Sequence, residues 1–150
     1  MGDQSGRSIW LMLSDTFGPG DSRPKLLNLM RSAASTGKLL EMSPGEQLVD
    51  LVYIDDVIEA FKLAADRMLP DGMAARHEHY SVCSGTPIRV RALVPLVGKS
   101  LGVELPVKLG ARPYRPREVM VPSCNAPCLP GWTPRTALAE GLRKWAASSP

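Results

Sequence analysis

The stretch Gln47–Leu69, "QLVDLVYIDDVIEAFKLAADRML", changes its hydrophobic period part-way along. Gln47–Ile54 is rich in β-branched and aromatic residues and reads as a strand. From Asp55 onward Val57, Phe61, Ala64, Ala65 and Met68 recur at helical spacing. That half reads as a helix with one apolar face, and Asp55 is its expected N-cap. A strand that runs straight into a helix is the unit of a mixed α/β domain.

The flanking sequence fits the same plan. "SIWLMLS" (Ser8–Ser14) is a near-continuous apolar run of strand length, expected to be buried on both faces as in a parallel sheet. "DTFGPGDSRPK" (Asp15–Lys25) follows it and reads as a Gly/Pro-rich, ligand-facing loop. Leu26, Leu27, Leu29, Met30, Ala33 and Ala34 then repeat at helical spacing, and Gly37 supplies the stop. "HYSVCSG" is a short strand, and Thr86 and Pro87 lead into a helix through Val90, Leu93, Val94 and Val97. "VELPVKLG" reads as an edge strand, because Pro106 removes a ladder donor. Residues 111–134 hold six prolines and read as loop, before "PRTALAEGLRKWAAS" closes the chain as a helix.

Composition narrows the function classes. With 150 residues, 44% of them hydrophobic, the chain has material for one core, so residues 1–150 are taken as a single domain. The net charge is +3 and the basic residues are spread along the chain, which makes nucleic acid an unexpected partner. No apolar run approaches the roughly 20 residues that span a bilayer, and "MGDQSGRSIW" has no signal-peptide core, so no membrane partner is expected. Cys83, Cys124 and Cys128 do not form an even set, which points to free thiols in a reducing cytoplasm. Cys124 and Cys128 also lack the C-x-x-C spacing of a redox pair. His77 and His79, in a polar connection, match no compact zinc spacing with these cysteines, so no metal is expected.

Several polar residues have two readings. Asp55 and Asp56 sit at a strand–helix junction, where capping outweighs acid/base work. Asp15 is either a turn-former or a site residue. Arg112, Arg115 and Arg117 are either an anion site or a solvated loop. Trp132, after Gly131, reads as a packing residue. The sequence contains neither G-x-G-x-x-G nor G-x-x-x-x-G-K-[ST], so no dinucleotide or nucleoside triphosphate has its usual phosphate cradle.

Five blocks in order carry a resemblance: "DTFGPGDSRPK", "GKLLEMSPGEQLVDLVYIDDVIEAF", "YSVCSG", "RPYRPREVM" and "LPGWTPRTALAEGL". Together, from roughly Ile9 to Trp145, the chain resembles the C-terminal, substrate-binding half of the extended short-chain dehydrogenase/reductases. Within these it is similar to the NAD-dependent nucleotide-sugar epimerase/dehydratase family, near its dideoxyhexose-forming members. The resemblance implies an α/β fold: a truncated substrate lobe with few strands, three or four helices and no complete Rossmann domain. In that family the Gly-rich cofactor turn and the catalytic Tyr-x-x-x-Lys pair lie upstream of the block beginning at Asp15. Here Tyr53, Tyr80 and Tyr114 all lack a Lys four residues on. The resemblance therefore implies no cofactor site and no ordinary epimerase, dehydratase or reductase activity for this chain alone.

By the same resemblance Asp15 and Thr16 face the sugar, with Arg23 and Lys25 in the same substrate-binding loop. Arg115 matches the family's diphosphate-pairing arginine, with Arg117 beside it. Val49 stands where many relatives carry a second Arg before Asp50, and "SCNAPC" replaces the usual charged stretch. Three functions follow as expectations. The first is a substrate lobe that binds a small polar or anionic, nucleotide-sugar-like ligand, as a homo-oligomer or with a partner chain that supplies the cofactor half. The second is a cofactor-free isomerase, dehydratase or cyclase with Asp15, Glu118 and Tyr114 as acid or base. The third is a non-catalytic interaction protein.

Overall fold

The computed structural model describes residues 6–69 and 76–148. In chain order the elements are β1 (Ser8–Leu13), β2 (Asp15–Phe17), α1 (Leu26–Thr36), β3 (Leu40–Glu41), β4 (Leu48–Val49) and β5 (Leu51–Tyr53). They continue with α2 (Ile54–Arg67), β6 (His77–Val82), β7 (Ile88–Arg89), α3 (Val90–Leu101), β8 (Val107–Lys108) and α4 (Leu138–Ala147). Among the described residues this is a mixed α/β fold with four helices and short sheets. The strands form two-stranded pairs: β1–β6, β2–β5 and β3–β8 are parallel, and β4–β7 is antiparallel. Parallel partners cannot be joined by a hairpin, so helices lie in the connections; α1 lies between β2 and β5.

Two apolar clusters hold these elements together. Phe17, Leu27, Met30, Leu93, Leu142 and Trp145 join β2, α1, α3 and α4 in the first. Val52, Val57, Ala60, Val82, Leu129 and Trp132 join β5, α2, β6 and the segment before α4 in the second. Trp132 is thus the packing residue expected of it, and its indole N–H donates to the carbonyl of Asp56 at 2.8 Å. α1 stops where expected: Gly37 takes φ of 67° and its N–H closes on the Ala33 carbonyl.

Several expectations change. Asp15–Phe17 is not loop but strand, in parallel register with Leu51–Tyr53. β1 is not buried on both faces: Ile9 and Leu11 pack on the second cluster, while Trp10 is 70% exposed and Met12 and Leu13 are exposed too. The N-cap of α2 is Tyr53, two residues before the expected Asp55, and no side chain caps the helix, so Asp55 is an exposed first-turn residue. Asp56 is the buried one, accepting the N–H groups of Arg135 at 3.2 Å and Thr136 at 2.9 Å. The expected edge strand shrinks to Val107–Lys108, and the last helix starts at Leu138 instead of Pro134. His77 and His79 stand on β6 and not in a polar connection, of which residues 70–75 lie outside the described residues.

The cysteines need the largest correction. Cys83 and Cys124 are joined in a disulfide, with Cα atoms 6.5 Å apart, and Cys128 is left as an exposed thiol. Periodicity does not show that the proline-rich segment folds back beside the end of β6. Ser81 on β6 holds it there: its N–H donates to the Pro127 carbonyl and its hydroxyl accepts the Ala126 N–H. The pairing removes the cysteine argument for a reducing compartment. Separately, no helix among the described residues is long and apolar enough to cross a membrane.

Two outcomes follow from this packing. Gly141 faces Phe17 so closely that an added Cβ would lie 2.8 Å from its ring and 3.2 Å from that of Tyr53. Gly141→Ala should therefore lower stability by about 1–3 kcal/mol despite the better helix former; an unchanged urea midpoint would refute that packing. The disulfide closes a loop of 41 residues, which restricts the unfolded chain by about 3–4 kcal/mol. Reduction should lower the unfolding midpoint accordingly, and Cys83→Ser should be insensitive to reductant.

Candidate functional site

A cavity of about 710 Å³ opens between β2, the start of α1, the β3–β4 region and the segment around 112–122. Each wall has a local cause. Asn28, in the first turn of α1, donates its amide to the carbonyls of Asp21 and Arg23, at 2.5 and 2.9 Å. That pins the Gly/Pro-rich connection against the helix. Opposite, the Arg112 N–H donates to the Met42 carbonyl, and the Leu48 N–H to that of Met120. The proline-rich segment is therefore tied along β3 and β4 without forming a strand.

Five of the expected site residues line this cavity: Asp15, Thr16, Lys25, Arg115 and Glu118. The other three lie elsewhere. Arg23 folds back on Asp21 through paired hydrogen bonds of 2.7 and 2.8 Å. Tyr114 accepts the Glu46 N–H on its hydroxyl at 3.1 Å. Arg117 is exposed and outside the lining. Of the five, Thr16 spends its hydroxyl on the Ser14 carbonyl at 3.3 Å. Among the described residues neither Lys25 nor Arg115 has a carboxylate within salt-bridge distance, and neither Asp15 nor Glu118 has a cationic group within it.

Sequence reading passed over Asp21, Glu41, Gln47 and Asp50 on the same wall. The Arg23 side chain donating to Asp21 is the main reason its carboxyl is lowered from 3.8 to about 2. Glu41 and Arg112 approach at 3.5 Å. Gln47 donates its amide to the Ser43 hydroxyl, and its own side-chain carbonyl is buried without a partner. Asp50 is 2% exposed and accepts three hydrogen bonds: from the Ser84 N–H at 2.7 Å, its hydroxyl at 2.9 Å and the Gly85 N–H at 3.0 Å. Polar side chains beside strands are common, and nothing local distinguishes Glu41, Gln47 and Asp50. For Asp21 the cue was available, because an Asp two residues before an Arg can close such a pair.

Comparison with known proteins now has a geometry to rest on. The sequence model described as the NAD dependent epimerase/dehydratase family matches residues 1–83. The chain belongs to that family. A CDP-abequose synthase of Yersinia pseudotuberculosis is 33% identical over 112 residues, covering 75% of this chain and 38% of that protein. A 2-alkyl-3-oxoalkanoate reductase of Stenotrophomonas maltophilia (strain K279a) is 27% identical, covering 89% of this chain and 48% of that one. Among solved structures, MoeE5 in complex with UDP-glucose and NAD superposes with a TM-score of 0.80 at 22% identity, over 93% of this chain and 46% of that one. The chain thus spans less than half the length of these relatives.

NAD does not fit the residues described. A dinucleotide needs a Gly-rich turn feeding a helix N-terminus. Among the described residues no G-x-G-x-x-G turn leads into a helix: the connection before α1 has Gly18 and Gly20 but Arg23 at the third glycine's place, and α2, α3 and α4 follow directly on Tyr53, Arg89 and Ala137. No group of three or more His, Cys, Asp or Glu that could hold a metal occurs among the described residues.

The Asp21–Arg23 pair carries a pH dependence. A carboxyl with a depressed folded pKa contributes stability above its unfolded value of 3.8 and loses it as pH falls through about 2. Carboxyl NMR should place the Asp21 midpoint near 2, and Arg23→Ala should return it toward 3.8. A midpoint unmoved by that substitution would show that Arg23 does not hold it.

Proposed function

We propose that this chain acts as the substrate side of an epimerase/dehydratase-type protein, binding a small anionic ligand in the 710 Å³ cavity. The carrying observation is that Lys25 and Arg115 line this cavity and that, among the described residues, neither forms a salt bridge. An unneutralised guanidinium in a partly enclosed site favours an anionic group, which it can hold through two parallel hydrogen bonds. The names of the relatives support a sugar-nucleotide ligand in one case and an alkyl oxo acid in another. Kinship therefore supports the cleft without choosing the substrate.

Hydride chemistry in this reading needs a cofactor-bearing surface beyond the residues described, in the same assembly. Trp10, Met12 and Leu13 support it, because an exposed apolar strand of this kind suits a protein partner, whether a second copy or a cofactor-bearing chain. Asp15 and Glu118 favour a second reading. Both line the cavity and, among the described residues, neither forms a salt bridge; carboxylates so placed beside a bound ligand suit acid/base isomerisation or dehydration.

Calorimetry with CDP-glucose, UDP-glucose and inorganic pyrophosphate tests the cavity. Arg115→Ala should weaken whichever anion binds by about 10- to 100-fold, whereas Arg117→Ala, outside the lining, should change it less than about twofold. Equal losses in the two variants would sink the assignment. NAD or NADP alone should produce no thermal shift, and a clear shift would overturn the missing cofactor cradle.

A further inference from the structure

The cavity wall says more about its ligand than charge alone. Leu27, Leu40, Val49, Leu51 and Trp145 belong to the first apolar cluster or pack on it, and the same residues line the cavity. The core therefore opens to the surface here. Leu29 and Val119 extend the apolar wall to the rim, where they are 41% and 65% exposed. Part of the polar lining, in contrast, is committed. Asn28 is bound to two carbonyls, the Thr16 hydroxyl to a third, Asp21 to Arg23, and Asp50 to the 84–85 turn.

A ligand bearing hydroxyls along its length would find partners at Asp15, Glu118 and the Gln47 side-chain carbonyl, but would leave the groups laid against Leu27, Val49 and Leu51 unsatisfied. An alkyl chain meets the opposite situation, because each methylene placed on that wall leaves water. We propose that the cavity is built for an amphipathic anion, a carboxylate or phosphate head paired with Arg115 and Lys25 and an alkyl chain laid along Leu27, Val49 and Leu51. This rests on the cavity being a ligand site, as proposed above, and it names the ligand class.

The experiment is a chain-length series on the intact chain, below micellar concentrations. It uses hexanoate, octanoate and decanoate beside hexyl, octyl and decyl phosphate, with pyrophosphate and CDP-glucose as headgroup and sugar-nucleotide controls. Affinity should rise about fourfold per methylene, and whichever series is tighter identifies the head. Val49→Thr, nearly isosteric, and Val119→Ser, at the exposed rim, should each flatten the rise and leave pyrophosphate unaffected. A flat series with firm CDP-glucose binding overturns the amphipathic ligand and leaves the anion cleft standing. No binding of any probe overturns both.

Discussion

The fold turns on one buried carboxylate. Asp50 is the single residue between β4 and β5, where the chain leaves an antiparallel pairing with β7 and enters a parallel one with β2. Its side chain accepts all three hydrogen bonds from Ser84 and Gly85, the turn that leads into β7. β7 then pairs back on β4, so the carboxylate closes a circuit between two segments far apart in sequence. A buried carboxylate with three donors is well satisfied, whereas removing it would strand two backbone N–H groups. Because Asp50 also lines the cavity, the same contact that fixes the strand switch fixes one wall of the site.

Asp56 performs the matching task on the other side of β5. It holds the 135–136 backbone at the approach to α4, while its own carbonyl takes the Trp132 indole N–H. α4 then delivers Leu142 and Trp145 to the first cluster, and Gly141 lets the helix lie against Phe17 and Tyr53. Arg31 stacks over Trp145 at 3.9 Å, with its guanidinium bonded to the Trp145 and Ser148 carbonyls. A cation at a helix C-terminus is favoured by the dipole. The end of α4 is thus fastened to α1, and the cavity gains Trp145 on its wall.

What the sequence made legible was local. The i, i+3, i+4 pattern of Leu26–Ala34 and the stop at Gly37 depend on neighbours within one helix, and α1 follows them closely. Asp15–Phe17 was hidden because its strand character comes from pairing with Leu51–Tyr53, while its own neighbours are glycine and proline. The apolar run at Ser8–Leu13 announced a strand but not which faces would be covered, and Trp10 stands in solvent. Asp55 and Asp56 are equivalent in one dimension; only the return of residues 135–136 tells the exposed one from the buried one. Cys83 and Cys124 pair across the fold, which no spacing rule registers. For the site, Lys25 and Arg115 were readable as charges. That Arg23 is neutralised by Asp21, and is not free for a ligand, depends on a turn conformation.

Family membership and ligand choice rest on different parts of this molecule. The strand switch at Asp50, the clamp at Asp56 and the helix contact at Gly141 are backbone constraints, and a fold can keep them whatever it binds. The cavity wall is constrained unevenly: Asp50, Leu27 and Trp145 are buried parts of the scaffold, whereas Val49 is only partly buried. Val49 sits one residue from Asp50, on a strand whose register is set by Ile88, so its side chain can change without disturbing the hydrogen bonds that define the fold. A cation there would add a second charge to the Arg115 side and suit a diphosphate; valine instead continues the apolar surface from Leu51 toward the rim. The balance between a charged clamp and a hydrophobic wall is thus set by substitutions that cost the scaffold little.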